Sequence, residues 1–246
     1  VASKVGINVL KLDFEKDSLT TNYVTDTYNG KLLTNNNVTL IKGLSKTSDF
    51  VGYFDGISSY LSMGKEEYLN FGKDTFEISF SIYPASGVND FQTIIASGSD
   101  TFTTDSFFVM MYGSNQPSHI AVPATNRLGI GFGITPATNP FLLSNAQLAY
   151  NIWTEVKITR IGNTYNLYLN DVLDKSVQID SSFNLNFNGT LIGRNNCDSA
   201  KGLFQGYLDN IKIARLDSYR ESTEIDTTEG LISGLDFEEV GAGYDV

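Results

Sequence analysis

The segment with the clearest catalytic potential is Glu224-Ile-Asp-Thr-Thr-Glu229. Retaining glycoside hydrolysis needs two carboxyl groups about 5 to 5.5 Å apart, one as nucleophile and one as acid/base. An alternating strand can display such carboxylates on one face. The surroundings do not suit this role, because the segment lies in a polar tail rich in Ser, Thr and Glu. We therefore expect no catalytic residues, and the sequence predicts a protein that is not an enzyme.

Other residue types that carry catalysis are scarce. His119 is the single histidine, which leaves no histidine-based metal cluster, and no nucleophile with a recognisable partner lies near it in the sequence. Cys197 is the single cysteine, so it forms no internal disulfide and no cysteine-rich zinc site. We interpret Cys197 as a small residue in a loop between strands.

Two segments, residues 112–119 and 194–198, combine the side chains that bind sugars. A sugar site needs an aromatic face to stack on the C–H patch of a ring, with amide, carboxylate or arginine groups to pair with hydroxyls. The alternative is that these are ordinary residues of β-surfaces and turns. The candidate ligand-binding residues are Tyr112, Asn115, Gln116, His119, Arg194, Asn195, Asn196 and Asp198.

Short strands must position these loops. Apolar alternation or short apolar runs recur about a dozen times between residues 9 and 214, each bounded by Gly, Asn, Asp or Ser. In residues 77–83, Ile78, Phe80 and Ile82 share one face and polar residues share the other. This pattern predicts an all-β protein, and the number of strands is typical of a sandwich.

The clearest local element is a hairpin formed by residues 153–160 and 165–170. Gly162-Asn163 supplies the positive backbone angles that a tight hairpin turn needs. A second turn is predicted at Asn170-Asp171.

Composition narrows the range of partners. The chain has 17 basic and 28 acidic residues, so its formal net charge of −11 would repel phosphate backbones and anionic lipids. No stretch of about eighteen apolar residues is present, so the sequence predicts no membrane insertion. We expect neither nucleic acid nor membrane as a partner.

Several short motifs follow one another in a characteristic order. They are Leu10-Lys-Leu-Asp-Phe14, Asp26-Thr-Tyr-Asn-Gly30, Phe54-Asp-Gly-Ile-Ser-Ser-Tyr-Leu61, Leu167-Tyr-Leu-Asn-Asp171, Leu191-Ile-Gly-Arg194 and Gly206-Tyr-Leu-Asp-Asn-Ile-Lys-Ile-Ala214. Their order resembles the concanavalin A-like lectin/glucanase superfamily, particularly the laminin G-like domains of bacteriophage tail and bacterial surface proteins. The chain departs from the family pattern where Asp171 replaces a glycine.

The resemblance implies a two-sheet antiparallel β-sandwich of the jelly-roll type. It also implies a structural calcium ion that bridges the first and last strands, held by Asp13 and Asp209 with Asn29 and the carbonyl of Gly30 as additional ligands. The alternative is that Asp13 faces solvent and Asp209 pairs locally. Trp153 matches a core position of the family, so we expect it to pack in the interior.

The glucanase branch of this superfamily uses a Glu-Ile-Asp-x-x-Glu strand in mid-chain, unlike the tail position of residues 224–229. We expect residues 1–215 to form the sandwich. Residues 216–246 are interpreted as a C-terminal tail, a closing strand or the start of a truncated second module. The last alternative follows because Gly234-Leu-Asp-Phe-Glu238 echoes Lys11-Leu-Asp-Phe-Glu15.

These observations predict a non-enzymatic carbohydrate-binding or adhesion module of a phage virion fibre or a bacterial surface protein. It would be extracellular, on a virion or cell surface, with a glycan as ligand. The alternative is a structural decoration or spacer domain that contacts neighbouring subunits, and a glucanase-like hydrolase is a distant third. An aromatic-lined groove would favour the first hypothesis, and exposed apolar patches the second.

Overall fold

The computed structural model describes most of the chain up to Leu216. The described residues are 6–16, 18–44, 49–66, 69–87, 91–97, 107–114, 124–132, 141–179, 185–186, 189–195 and 202–216. Within these ranges the regular structure is nearly all β-strand, and no helix is long and apolar enough to cross a membrane.

Short strands follow one another along the whole described chain, as the recurring apolar runs predict. They are β1 (Gly6–Leu12), β2 (Tyr23–Thr25), β3 (Leu32–Asn36), β4 (Thr39–Lys42), β5 (Phe50–Asp55), β6 (Tyr60–Ser62), β7 (Asn70–Gly72), β8 (Phe76–Pro84), β9 (Gln92–Ser97), β10 (Phe107–Met111), β11 (Leu128–Phe132), β12 (Leu142–Leu143), β13 (Thr154–Ile161), β14 (Thr164–Leu169), β15 (Val172–Gln178), β16 (Leu185–Asn186), β17 (Leu191–Ile192) and β18 (Gln205–Leu216).

The strands form two large antiparallel sheets and one small one. Sheet I has the order β15-β14-β13-β8-β18-β5-β4, with β1 paired to β18 as well. Sheet II has the order β12-β11-β10-β9-β17-β6-β3-β2, and β16 pairs with β7. The two large sheets stack as a sandwich, which confirms the predicted all-β jelly-roll class.

The core fills the space between the sheets. In β8 the side chains of Phe76, Ile78, Phe80 and Ile82 are at most 1% exposed, which confirms the alternation predicted for this strand. Phe76 meets Phe107 of sheet II edge to face, with ring centroids 6.4 Å apart. Such contacts contribute beyond their buried area, so the aromatic rings fix how the sheets stack.

The predicted hairpin forms, with turns at both predicted positions, but in the first turn Gly162 takes the predicted positive φ and Asn163 does not. Ile161 pairs with Thr164 across a turn in which Gly162 has φ of 59°. The second turn joins Leu169 to Val172 and has positive φ at both Asn170 (50°) and Asp171 (62°). Asparagine and aspartate tolerate this region better than other non-glycine residues, which explains how the chain turns here without the glycine of the family pattern.

A bulge in β18 changes the register at one point. Asp209 lies opposite Ser81, but Lys212 lies opposite Ser79, so β18 contains one extra residue between them. Asn210 takes up the extra length with φ of 51°. Bulges re-aim side chains locally, and here Tyr207, Asp209 and Lys212 all lie on the outer face of sheet I. Residues 217–246, including 224–229 and the echo at 234–238, lie outside the described residues.

Candidate functional site

Four aromatic side chains form a row across the outer face of sheet I. Tyr207 of β18 lies opposite Tyr53 of β5 on one side and Tyr83 of β8 on the other. Thr154 pairs with Ile82, which places Trp153 beside Tyr83 at the start of β13. The ring centroids are 5.3 Å apart for Tyr53 and Tyr207, and 5.5 Å apart for the next two pairs. We call these four residues the aromatic row.

Strand alternation is what exposes the aromatic row. Its four members are half-buried, whereas their strand neighbours Phe54, Ile82 and Leu208 are 0% exposed because they point into the core. The rings are inclined to one another by 41° to 68°. Contacts at such angles hold the rings in fixed orientations relative to one another.

A second row of polar side chains lies beside the first. Glu155, Ser81 and Asp209 occupy matched positions on β13, β8 and β18, next to the aromatic row. Ser81 Oγ donates a 2.7 Å hydrogen bond to Oε2 of the exposed Glu155. Asp209 is 1% exposed, and its Oδ1 accepts a 2.9 Å hydrogen bond from the backbone N–H of Asn210. We call these three residues the polar row.

Three lysines occupy the next outward-facing positions on the strands beyond the polar row, and each forms an ion pair with a carboxylate. Lys212 Nζ lies 3.2 Å from Glu77, and Lys11 Nζ lies 2.9 Å from Asp13. Lys157 Nζ lies 2.9 Å from Asp171. The hydrogen bond to Asp171 raises the pKa of Lys157 despite an opposing effect of burial, with further contributions from the negative charges of Asp171 and Glu77.

The aromatic row ends at a groove of about 480 Å³. Trp153 forms the wall between the two, and its indole Nε1–H donates a 2.8 Å hydrogen bond to the carbonyl of Leu44. The groove combines apolar side chains, including Ile152 (57% exposed) and Val172 (69% exposed), with the polar side chains of Asn170 and Asp174. Aromatic surface, apolar walls and a few polar groups are the composition of a small-molecule site.

The predicted sugar-binding residues that the structure describes do not belong to the aromatic row. Tyr112 is 2% exposed and packs with Phe91, Ala124 and Leu143, and burial raises the pKa of its phenol well above the ordinary value. It therefore presents no ring face for a sugar to stack on, contrary to the role predicted for it.

Two further predicted residues are held by protein contacts. The guanidinium of Arg194 lies 4.7 Å from the ring centroid of Tyr60, and Asn195 is 3% exposed. The remaining predicted sugar ligands, together with Cys197, lie outside the described residues; those ligands are Asn115, Gln116, His119, Asn196 and Asp198.

Both aspartates predicted to bind calcium have hydrogen-bond partners within the protein. Asp209 belongs to the polar row, where Asn210 contacts both of its oxygens. Asp13 Oδ2 accepts hydrogen bonds of 2.9 Å from Lys11 Nζ and from Thr27 Oγ1. The described residues contain no group of three or more His, Cys, Asp or Glu side chains placed to share a metal ion.

Asp26 was not predicted as a metal ligand, but one of its buried oxygens has no hydrogen-bond partner among the described residues. It is fully buried, and Oδ1 accepts hydrogen bonds from the backbone N–H groups of Lys11 (2.9 Å) and Tyr28 (3.0 Å). Oδ2 is buried and has no hydrogen-bond partner in the described part of the chain. An unsatisfied buried carboxylate oxygen is costly, and oxygen is the ligand that Ca²⁺ prefers. The turn of Asp26, Asn29 and Gly30 therefore fits the cation that the fold family implies.

Comparison with known proteins agrees with this architecture. The laminin G family model described as concanavalin A-like lectin/glucanases superfamily matches residues 54–216. The chain belongs to this superfamily. A search of curated protein sequences finds no match.

Several solved structures have a similar fold at low sequence identity. Domain 4 of AbnA, a GH43 extracellular arabinanase from Geobacillus stearothermophilus solved with arabinotriose, has a TM-score of 0.59 at 12% identity, over 87% of this chain and 94% of that one. A structure of botulinum neurotoxin type C, whose cell entry depends on two ganglioside molecules, has a TM-score of 0.57 at 16% identity, over 85% of this chain and 48% of that one.

A sialidase from Trypanosoma rangeli, solved with 2,3-difluorosialic acid as a covalent intermediate, has a TM-score of 0.56 at 12% identity. The match spans 88% of this chain and 32% of the sialidase. This chain thus spans less than half the length of each of these two matched chains. At these identities the likeness concerns the fold.

The aromatic row was not predicted from the sequence. The interpretation of Trp153 as a core residue is wrong, because the indole lies half-buried on the outer face of sheet I beside Tyr83. The sequence offers one signal, because the alternation in residues 77–83 places Tyr83 on the polar face of its strand. Its neighbours across the sheet could not be known, because their pairing joins segments far apart in sequence.

Proposed function

We propose that this chain is a carbohydrate-binding module whose ligand lies on the aromatic row. The observation that carries this proposal is the alignment of Tyr53, Tyr207, Tyr83 and Trp153 across four neighbouring segments of one exposed sheet face. Aromatic faces stack on the C–H patches of sugar rings, and the adjacent polar row and Asn170 offer partners for hydroxyl groups. Because the row crosses four neighbouring segments, it suits a chain of sugars.

The comparisons support carbohydrate binding in general. Similar folds occur in an arabinanase domain solved with arabinotriose and in a toxin whose cell entry depends on gangliosides. We extend the proposal to an extracellular adhesion role on a virion or bacterial surface, without catalysis. That part is supported by the order of the sequence motifs, and an assay for released reducing sugar tests the absence of hydrolysis.

The decisive experiment is a comparison of alanine variants on a panel of soluble polysaccharides. Affinity electrophoresis measures retardation of the protein by each polymer. We expect Tyr83→Ala and Trp153→Ala to lose the retardation shown by the unchanged protein. Tyr23→Ala is the matched control, because Tyr23 is 45% exposed on β2 of sheet II. If the control variant loses retardation equally, or the row variants lose none, the aromatic row is not the binding site.

A second candidate function is a structural role with contacts to neighbouring subunits. It is favoured by the exposed apolar side chains of Ile152, Val172 and Leu173 around the groove, since such patches mark contact surfaces. Under this hypothesis, purified protein would associate at high concentration. Val172→Lys would then return it to a monomer in light scattering.

We also propose a calcium ion at the turn that contains Asp26. Asp26 would hold it together with Asn29 and the carbonyl of Gly30, and Asp13 lies beside them through Thr27. The bound ion would supply the positive charge that the buried Oδ2 of Asp26 needs. Its role would be structural, because the turn lies next to β1 and ties it to the loop before β3.

A further inference from the structure

The charges beside the aromatic row indicate which sugars it accepts. We infer that the site selects uncharged, hydroxyl-rich glycan chains and rejects acidic ones, with Glu155 as the specificity-determining residue. This inference depends on the proposed function, because it assumes that the aromatic row binds glycans. It goes further by naming the ligand class and the residue that sets it.

Glu155 is placed to meet a ligand on the aromatic row. It lies on β13, two residues after Trp153 and on the same face of the sheet, and it is exposed. The hydroxyl of Ser81 donates a 2.7 Å hydrogen bond to Oε2 of Glu155, which orients the carboxylate. No described residue hydrogen-bonds to Oε1, and no described cation forms an ion pair with Glu155. That oxygen can accept a hydrogen bond from a sugar hydroxyl, as ionised carboxylates do.

The same carboxylate repels an anionic ligand. Asp209 lies in the polar row on the far side of Ser81, so two negative side chains flank one edge of the aromatic row. Two like charges at short range oppose binding, and the interaction is weakly screened where water is partly excluded. A uronate or sulfate group stacked here would face the exposed carboxylate of Glu155, with the buried side chain of Asp209 behind it.

The nearby cations do not offset this repulsion. Lys157, Lys212 and Lys11 lie in the row beyond the polar row, and each lies within 3.2 Å of its own carboxylate. The net charge of −11 adds a long-range field of the same sign. The described part of this face therefore presents negative potential to a ligand.

The direction of the row adds a requirement on ligand shape. The rings follow one another across strands β5, β18 and β8 and end at Trp153, beyond which the groove continues. A linear glycan would lie across the strands, with Glu155 at one flank and the groove at one end. Affinity should accordingly rise with oligosaccharide length until the row is covered.

The test pairs each neutral polysaccharide with its own oxidised form. A β-glucan and a galactomannan, both of which carry free primary alcohols, are compared by affinity electrophoresis with samples in which these alcohols have been converted to carboxylates. We expect at least one neutral polymer to bind and its oxidised form to bind about tenfold more weakly at low salt, with the gap narrowing at high salt. Glu155→Gln should narrow the same gap, since glutamine keeps a hydrogen-bond partner for Ser81 but loses the charge.

The matched control is Glu66→Gln, which removes the same charge from a carboxylate that contacts Lys31 beside sheet II. We expect this variant to keep the discrimination of the unchanged protein. If a neutral polymer and its oxidised form bind equally, or Glu66→Gln relaxes the discrimination as much as Glu155→Gln does, the specificity inference fails while the proposed function stands. If no polymer of either kind binds, the proposed function and this inference both fail.

Discussion

Tyr83 and Trp153 pack against each other with ring centroids 5.5 Å apart and ring planes inclined by 56°. Tyr83 lies on β8 at the centre of sheet I, and Trp153 directly precedes β13, the neighbouring strand in the sheet. Because Trp153 also lines the groove, this pair links the middle of the aromatic row to the groove. The contact sits on the exposed face of the sheet, where burial of apolar surface is incomplete. Its contribution to folding can therefore be measured apart from the core.

A double-mutant cycle on this pair should reveal a coupling of about 0.5–1.5 kcal/mol in the free energy of unfolding. Trp153→Ala should cost more than Tyr83→Ala, because it also removes the hydrogen bond to the carbonyl of Leu44. Urea denaturation of the two single variants and the double variant measures each term. Strict additivity would show that the two rings contribute independently.

Gly193 should tolerate no side chain. Its φ is 85°, and a Cβ atom there would lie 2.5 Å from Cδ1 of the buried Phe54 ring. Gly193→Ala therefore combines backbone strain with overpacking, and should lower the free energy of unfolding by roughly 2–4 kcal/mol. Gly162→Ala is the matched control, because Gly162 also has positive φ (59°) but has no atom within 4 Å of the added Cβ.

For the control variant the cost should be only about 1 kcal/mol, the backbone strain alone. Thermal melts that show equal losses for the two variants would contradict the packing argument. They would show that the ring of Phe54 moves aside at little cost.

Stability should depend on pH through Asp55. Partial burial raises the pKa of this carboxyl group, but backbone N–H hydrogen bonds from Ser58, Ile57 and Ser59 outweigh that effect and hold the pKa well below its usual range. The folded pKa is lower than the unfolded one, so the stabilisation is complete above the unfolded pKa. It is lost as the pH falls below about 4 toward the folded pKa.

Asp55→Asn keeps one acceptor oxygen but removes the charge. We expect a loss of about 1 kcal/mol in the free energy of unfolding at neutral pH, a modest figure because solvent screens an open turn. The difference between the variant and the unchanged protein should shrink in acid. A difference that stays constant from neutral to strongly acidic pH would rule out this origin.

Calcium should raise the melting temperature through Asp26. Because an ion that binds the folded state alone stabilises it by mass action, a melt in excess Ca²⁺ should lie several degrees above a melt in EDTA. Asp26→Asn should abolish that difference. Asp209→Asn should preserve it, since Asp209 lies in the polar row and contacts Asn210.

The reverse pattern, with the calcium effect lost in Asp209→Asn, would restore the ligand set that the family resemblance implies. Equal melting temperatures in Ca²⁺ and EDTA for the unchanged protein would remove the ion from this turn altogether. Direct titration calorimetry with Ca²⁺ on EDTA-treated protein supplies a second measurement that does not depend on stability.

The sequence by itself determined the fold class and much of its local structure. Alternation in β8 and the turns at Gly162 and Asn170 are local properties, because side-chain periodicity and turn chemistry depend on neighbouring residues. Motif order identified the superfamily, which the family match over residues 54–216 confirms.

Only the tertiary structure decided which side chains meet. Tyr53, Tyr83, Trp153 and Tyr207 come from four distant segments, and their alignment depends on strand order and on registers that no local pattern encodes. For the same reason Tyr112, whose neighbours suggested a sugar-binding loop, is buried by packing with Phe91 and Leu143. The sequence alone likewise could not show that Asp26 keeps one buried oxygen unpaired, because burial is a property of the assembled sandwich.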